Sequence, residues 1–259
     1  MTFRVRGREF ASGTHVMGIV NVTTDSFFAA SRAAADEAAE RAVKMVADGA
    51  AIIDIGAQST RPGAREIGAL EEMSLLLPAL ERVREATDAP ISVDTFYPEV
   101  AEAALAAGAD MINDVSCLRF SGLAEVTARY GAAICIMHNR RGSTVPDLTA
   151  DKLTGLTAAA AKAVRAGVRE DGILLDGGIG FNRSAEEDRF LADHYDLLLA
   201  TGYPLLMGAS RKSFLGGTPE TRLTATLECT TAAARMGVLF VRVHDVKENV
   251  LAIRSALAR

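Results

Sequence analysis

Short apolar runs of five to seven residues punctuate this chain, each rich in Val, Ile and Leu. Between them lie longer Ala-rich stretches with apolar residues every three or four positions. The runs are HVMGIVN (15–21), AIIDIGA (51–57), PISVDT (90–95), MINDV (111–115), AAICIMH (132–138), ILLDGG (173–178), PLLMGAS (204–210) and LFVRVHD (239–245). They have the length of buried strands, whereas ADEAAERAVKMVADG and EEMSLLLPALERVREATD have the period of a helix. Glycine precedes several strands, in DGA, AGAD and YGAA, where it would end a helix. Strand and helix in alternation imply parallel strands, because the helix is the crossover. Eight such units predict a (β/α)8 TIM barrel, read as one domain over 1–259. The competing doubly wound sheet would carry a nucleotide loop, but GGIGFN lacks the third glycine and no GxxxxGK[ST] occurs.

Every predicted strand ends in something polar: Asn21, the segment Gln58 to Arg61, Asp94, Asn113, His138, Asp176, Ser210 to Lys212, and Arg242 with His244. Side chains alternate along a strand, so Phe240, Arg242 and His244 share one face and Val241 and Val243 the other. In a barrel of this kind the C-terminal strand ends form the active-site mouth, which explains charge at the end of an apolar run. The polar ends are therefore expected to converge on one cavity.

Composition narrows the partners. The chain has 28 Lys and Arg against 33 Asp and Glu, net −5, with no basic stripe that would suit nucleic acid. Its three cysteines form no CxxC and read as reduced, mostly buried thiols. MTFRVRGREFASG lacks the apolar core of a signal peptide, and no run has membrane-spanning length. These features predict a soluble cytoplasmic protein with no nucleic-acid or membrane partner.

Arg61, Arg211, Lys212, Arg242 and His244 on a net-acidic chain suggest an anion of more than one charge, such as a pyrophosphate. Of these, Arg211 is the one expected to pair with a neighbouring acid. Asp94, Asn113 and Asp176 offer acceptors and one amide, which suits a flat heterocycle with N–H donors beside a carbonyl, such as a pterin. Asp54 and Asp114 are assigned to the scaffold, as are His15 and His194. No HxH supports zinc; Mg²⁺ shared between an amide oxygen and substrate phosphates fits better. Lys212, flanked by Arg211 and Ser213, is expected to be hydrated and not an imine-forming lysine.

MGIVNVTTDSF, IIDIGAQSTRPGA, ISVDT, MINDV, LLDGGIGF, MGASRKSFLG and VRVHDV, in that order from residue 17 to 246, resemble the dihydropteroate synthase family of pterin-binding enzymes. The resemblance implies a (β/α)8 barrel that condenses 6-hydroxymethyl-7,8-dihydropterin pyrophosphate with p-aminobenzoate. It implies a pterin pocket of Asp94, Asn113, Met137, Asp176 and Lys212. Asn21 (through Mg²⁺), Arg61, Arg242 and His244 would take the pyrophosphate. Thr60, Pro62, Phe181, Lys212, Ser213 and Phe27 would take p-aminobenzoate, with Asp94, Lys212 and Asp25 acting in catalysis. Mg²⁺ as cofactor, a homodimer and sulfonamide binding in place of p-aminobenzoate follow from the same resemblance.

The chain departs from the family pattern at Thr24 (usually Pro), at Phe28 to Ser31 (Ser-Asp-Gly-Gly), at Gln58 (Glu) and at Gly177 (Pro). Two other classes could use such a mouth: a methyltransferase passing a methyl group from a reduced folate to a corrinoid protein, and a non-catalytic pterin-binding paralogue. The methyltransferase has less use for Arg61, Arg242 and His244 as a pyrophosphate clamp, and only the altered first loop favours the paralogue.

Overall fold

The computed structural model describes residues 2–22, 28–58, 65–139, 145–181 and 184–258, with the backbone alone from 28 to 32. The eight expected strands form, each within three residues of its sequence bounds: β3 (His15–Asn21), β4 (Ile52–Gly56), β5 (Ile91–Asp94), β6 (Met111–Asp114), β7 (Ala133–Met137), β8 (Ile173–Asp176), β9 (Leu205–Met207) and β10 (Phe240–Val243). Each pairs in parallel with the next, and β10 returns to β3 in the register Phe240↔His15 to Val243↔Gly18, closing the barrel. The crossover helices are α1 (Phe28–Ala47), α2 (Ala69–Ala86), α3 (Pro98–Ala106), α4 (Leu123–Arg129), α5 (Leu148–Arg165), α6 (Ala185–Asp193) and α7 (Leu223–Arg235), with α8 (Val246–Leu257) after the last strand. None of the described helices is long and apolar enough to cross a membrane.

Both faces of each strand are buried, for different reasons. Ile53, Ile55, Ile91, Val93, Ile112, Ile134, Ile136 and Val241 pack outward against Leu80, Ala104, Leu156 and other helix residues. The alternate positions Met17, Ile52, Met111, Cys135, Leu174, Leu206 and Phe240 fill the interior as a separate cluster. Such two-sided burial is why the strands read as near-continuous apolar runs. The expected glycine stops are present: at Gly108, φ is 100° and the Ala109 N–H returns to the Ala104 carbonyl at 3.0 Å.

Sequence reading misses one element. Phe3–Val5 (β1) and Arg8–Phe10 (β2) form an antiparallel hairpin joined through Arg6 and Gly7, whose φ values of 48° and 68° suit a type I′ turn. Phe3 and Phe10 meet the Phe240 ring edge-on at 5.7 and 5.1 Å, so the hairpin plugs the barrel at the N-terminal ends of its strands. His15 packs on the same rings, as its structural assignment requires. His194 likewise stacks on Phe190.

Candidate active site

Two residues beyond the interior apolar positions, on the same inward face, the strands turn ionic. Ile52 is followed inward by Asp54, Met111 by Asn113, Leu174 by Asp176 and Phe240 by Arg242. Arg242 organises this layer. Its Nε donates to Asp54 Oδ2 at 2.6 Å and its Nη2 to Asp94 Oδ2 at 2.9 Å. Asn113 Nδ2 donates to the same Asp54 oxygen at 3.3 Å. Burial pulls the Arg242 pKa down, but Asp54 and Asp94 more than offset it and the guanidinium stays charged. Burial also raises Asp94 above the usual carboxylate range; Arg242 opposes that shift and the nearby Asp54 adds to it.

Across the mouth, Asp176 Oδ1 accepts from the Gly178 N–H at 2.7 Å and from the Tyr195 hydroxyl at 3.0 Å. Asp176 Oδ2 has no partner among the described residues. Lys212 lies just past β9, its ammonium 4.4 Å from the centre of the Phe181 ring. Gly180 makes room for it: a Cβ there would stand 2.7 Å from Lys212 Cδ. Met137 joins Phe96 and Val115 in a small apolar cluster, with Phe120 and Phe181 against it, forming a wall beside the ionic layer. Three carboxylates and two cations thus face one apolar wall, an arrangement for a flat, polar-edged ligand.

Comparison with known proteins agrees with this geometry. The family model for pterin binding enzymes matches residues 17–244. Dihydropteroate synthase of Bacillus subtilis is 41% identical over 241 residues, covering 91% of this chain and 85% of that one. The chain belongs to the dihydropteroate synthase family. The Clostridium difficile dihydropteroate synthase, solved in the presence of pteroic acid, superposes with a TM-score of 0.92 at 38% identity, over 96% of this chain and 97% of that one. The Xanthomonas albilineans enzyme with 4-aminobenzoic acid gives 0.91 at 36% identity, over 99% and 97%.

Most sequence-predicted residues of this family member lie at the mouth, with some differences. Asp54, assigned to the scaffold, is fully buried and holds Arg242 and Asn113 from beneath the mouth. Its place was legible in the alternation of AIIDIGA, where Ile52, Asp54 and Gly56 share a face. Asp114 does brace a loop, accepting from the Ser116 and Leu118 N–H groups. His138 was expected at the mouth, but since Met137 points inward, His138 turns outward. Its Nε2 is 3.4 Å from Asp151 Oδ2 on α5, and a Cβ at Gly155 would meet its ring. Lys212, expected to be hydrated, is half-buried against Phe181; burial, with repulsion from Arg242, lowers its pKa, partly offset by Asp176.

Arg211 pairs with Asp245 through Nε at 3.2 Å and Nη2 at 2.6 Å, as the sequence suggested. His244 is half-buried on the rim, Nδ1 3.0 Å from Ser210 Oγ, in a groove it shares with Arg41, Arg211 and Lys247. It therefore lies outside the Arg242 network. Ser213 and Asn21 are exposed on the rim. Asp25, Phe27, Thr60, Arg61 and Pro62 lie outside the described residues. Of the departures, Phe28 to Ser31 supply the first turn of α1, where two alanines are good helix formers. Cys135 is buried while Cys117 and Cys229 are half-buried, all as free thiols.

Proposed function

We propose that the mouth divides its residues between the two substrates of the dihydropteroate synthase reaction. In that reaction 6-hydroxymethyl-7,8-dihydropterin pyrophosphate and p-aminobenzoate give 7,8-dihydropteroate and pyrophosphate. The observation that carries the assignment is the layer of half-buried Asp94 with buried Asn113 and Asp176 beside the Met137 wall. Asn113 and the open Oδ2 of Asp176 suit the amide and amine edge of the pterin, while Met137 covers its face. Lys212 stands between the two substrates, close to the Asp176 and Asp94 carboxylates of the pterin pocket and over the Phe181 ring. By the family resemblance, Phe181, Ser213, Thr60, Pro62 and Phe27 are the residues that take p-aminobenzoate, with Asp25 acting in catalysis.

The bond from the exocyclic carbon to pyrophosphate breaks with its electron pair leaving on oxygen, and positive charge spreads into the pterin ring. Asp94 faces that charge and stabilises it. The amine of p-aminobenzoate then attacks the carbon and loses a proton to solvent. Arg61, Arg242 and His244 hold the departing anion more strongly as its charge grows, which lowers the barrier. Arg242 already spends Nε and one N–H of Nη2 on Asp54 and Asp94, so Nη1 and the second N–H of Nη2 are left for phosphate oxygens.

Among the described residues no group of three acidic, His or Cys side chains could hold a metal alone. Asn21, exposed at the end of β3, is one oxygen donor. That donor set fits Mg²⁺ carried by pyrophosphate and waters, since Mg²⁺ needs few protein ligands. Bound there, Mg²⁺ would neutralise part of the leaving charge. Calorimetry with pyrophosphate should show tighter binding when Mg²⁺ is added, and Asn21→Ala should remove most of that gain. We infer a homodimer as well, which sedimentation would check.

One assay decides the reaction: pterin pyrophosphate, Mg²⁺ and p-aminobenzoate should yield pyrophosphate and dihydropteroate in equal amounts. Neither product would leave a pterin-binding paralogue. Arg242→Ala tests the clamp, removing a charge-assisted contact worth about 1.5–3 kcal/mol. Pterin pyrophosphate should bind about 10- to 100-fold more weakly, with the unphosphorylated hydroxymethyl pterin little changed. Equal losses for both would assign Arg242 to holding Asp54 and Asp94 alone.

A further inference from the structure

Directly after Asp176 the chain has Gly177 where the family usually has proline, and this departure has a partner in space. The Gly177 N–H donates to the Tyr195 hydroxyl at 2.7 Å, a bond that proline could not make. Tyr195 opens the short 3₁₀ helix Tyr195–Thr201 and is fully buried. Its oxygen lies 3.0 Å from Asp176 Oδ1 and 2.6 Å from the Leu206 carbonyl. The two residues also require each other sterically. A Cβ at position 177 would stand 3.0 Å from Tyr195 Cε2 and 2.7 Å from Leu198 Cδ1. A proline ring would add to both clashes. On the other side of the same peptide, the buried Lys152 of α5 donates its ammonium to the Gly177 carbonyl at 2.6 Å.

The phenol has one proton and two acceptors. A charged acceptor makes the stronger bond, so with Asp176 ionised the proton goes to Oδ1, and with Asp176 neutral it goes to Leu206. Oδ1 is then held twice, by Tyr195 and by the Gly178 N–H, and only Oδ2 is left for a ligand. Burial raises the Asp176 pKa, and the Gly178 and Tyr195 bonds oppose that rise.

We propose that Tyr195 is a positioning residue for pterin recognition: its hydroxyl locks the Asp176 carboxylate and, with Lys152, fixes the Gly177 peptide in place of the stiffness a proline would give. The proposal rests on the reading that Asp176 holds the pterin edge, and the test separates the two. Tyr195→Phe keeps the buried ring and removes the hydroxyl. Binding of the pterin pyrophosphate, measured by calorimetry, should weaken about 10-fold, with KM for p-aminobenzoate unmoved. Asp176→Ala should weaken pterin binding further, and adding Tyr195→Phe to it should change nothing more, because the hydroxyl acts through that carboxylate. A Tyr195→Phe enzyme that melts earlier yet binds pterin normally, beside an Asp176→Ala enzyme that does not, overturns the proposal and leaves the Asp176 reading standing. Normal binding by Asp176→Ala would remove that reading first, and the proposal with it. Equal losses from Tyr195→Phe with and without Asp176 would also overturn it, since they would mean a general loosening of the fold.

Discussion

The two ends of the barrel interior are built from the same strands, two residues apart, and they obey opposite rules. At the floor, Met17, Ile52, Met111 and Phe240 pack with Phe3 and Phe10 of the hairpin. One inward position later come Asp54, Asp94, Asn113, Asp176 and Arg242. Two residues of strand advance only about 6.6 Å. Over that distance the interior passes from a hydrocarbon plug to an ionic layer in which burial raises the pKa values of Asp94 and Asp176. The floor supplies stability and the mouth draws on it: a buried ion pair returns little net stability, because desolvation cancels most of the attraction. What the ionic layer gains is fixed geometry at the place where charge will develop.

The largest effect expected is at the floor. Phe240→Ala removes a fully buried ring under the hairpin and should cost about 3–5 kcal/mol, read from the urea midpoint, with KM for both substrates nearly unchanged. A large shift in KM without loss of stability would break the division between floor and mouth. Asp94→Asn is the reciprocal change. It keeps size and removes charge, so turnover should fall on the order of 100-fold while the melting temperature barely moves. Near-normal turnover would place Asp94 away from the reacting carbon.

A smaller and subtler effect comes from behind the mouth. Glu72, buried on α2, has its pKa raised to about 7 by burial, with the Thr95 hydroxyl offsetting part of the shift and Asp94 adding to it. The unfolded chain releases this proton near the ordinary value of 4.5, so between there and about 7 the folded state holds more protons. Stability from this group is complete at acid pH and is lost as pH rises through about 7. Glu72→Gln should therefore match the parent near pH 4 and exceed it by on the order of 3 kcal/mol at pH 8. Parallel stability curves for the two would mean that Glu72 is not desolvated in solution.

Much of the barrel was legible because its signals are local. Strand runs, helix periods and glycine stops each need only neighbours in sequence, and the inward polar residues followed from alternation. The misses are all matters of distant contact or of alternation not carried through. Alternation in AIIDIGA turns Asp54 inward, but its partner Arg242 lies 188 residues away, so the pairing itself is not marked near IIDIG. His138 was misplaced because one register step past Met137 faces the helices. Lys212 looked hydrated beside Arg211 and Ser213, but Phe181 and Gly180 come from a different loop to enclose it. The hairpin needed two very short strands to be seen as such. Its turn residues, Arg6 and Gly7, gain meaning only once Phe240 is known to wait for Phe3 and Phe10.

That closure has a consequence for synthesis on the ribosome. β3 cannot find its last partner until β10 has emerged, and His15 pairs with Phe240. At roughly 5–20 residues per second, the earliest strand waits on the order of 10–45 s with one edge unpaired. During that interval a nascent chain carries an open, Val- and Ile-rich parallel sheet, the kind of edge that recruits other strands. Chaperone capture, translation speed and expression temperature should therefore govern the yield of this protein more than the depth of its final energy well.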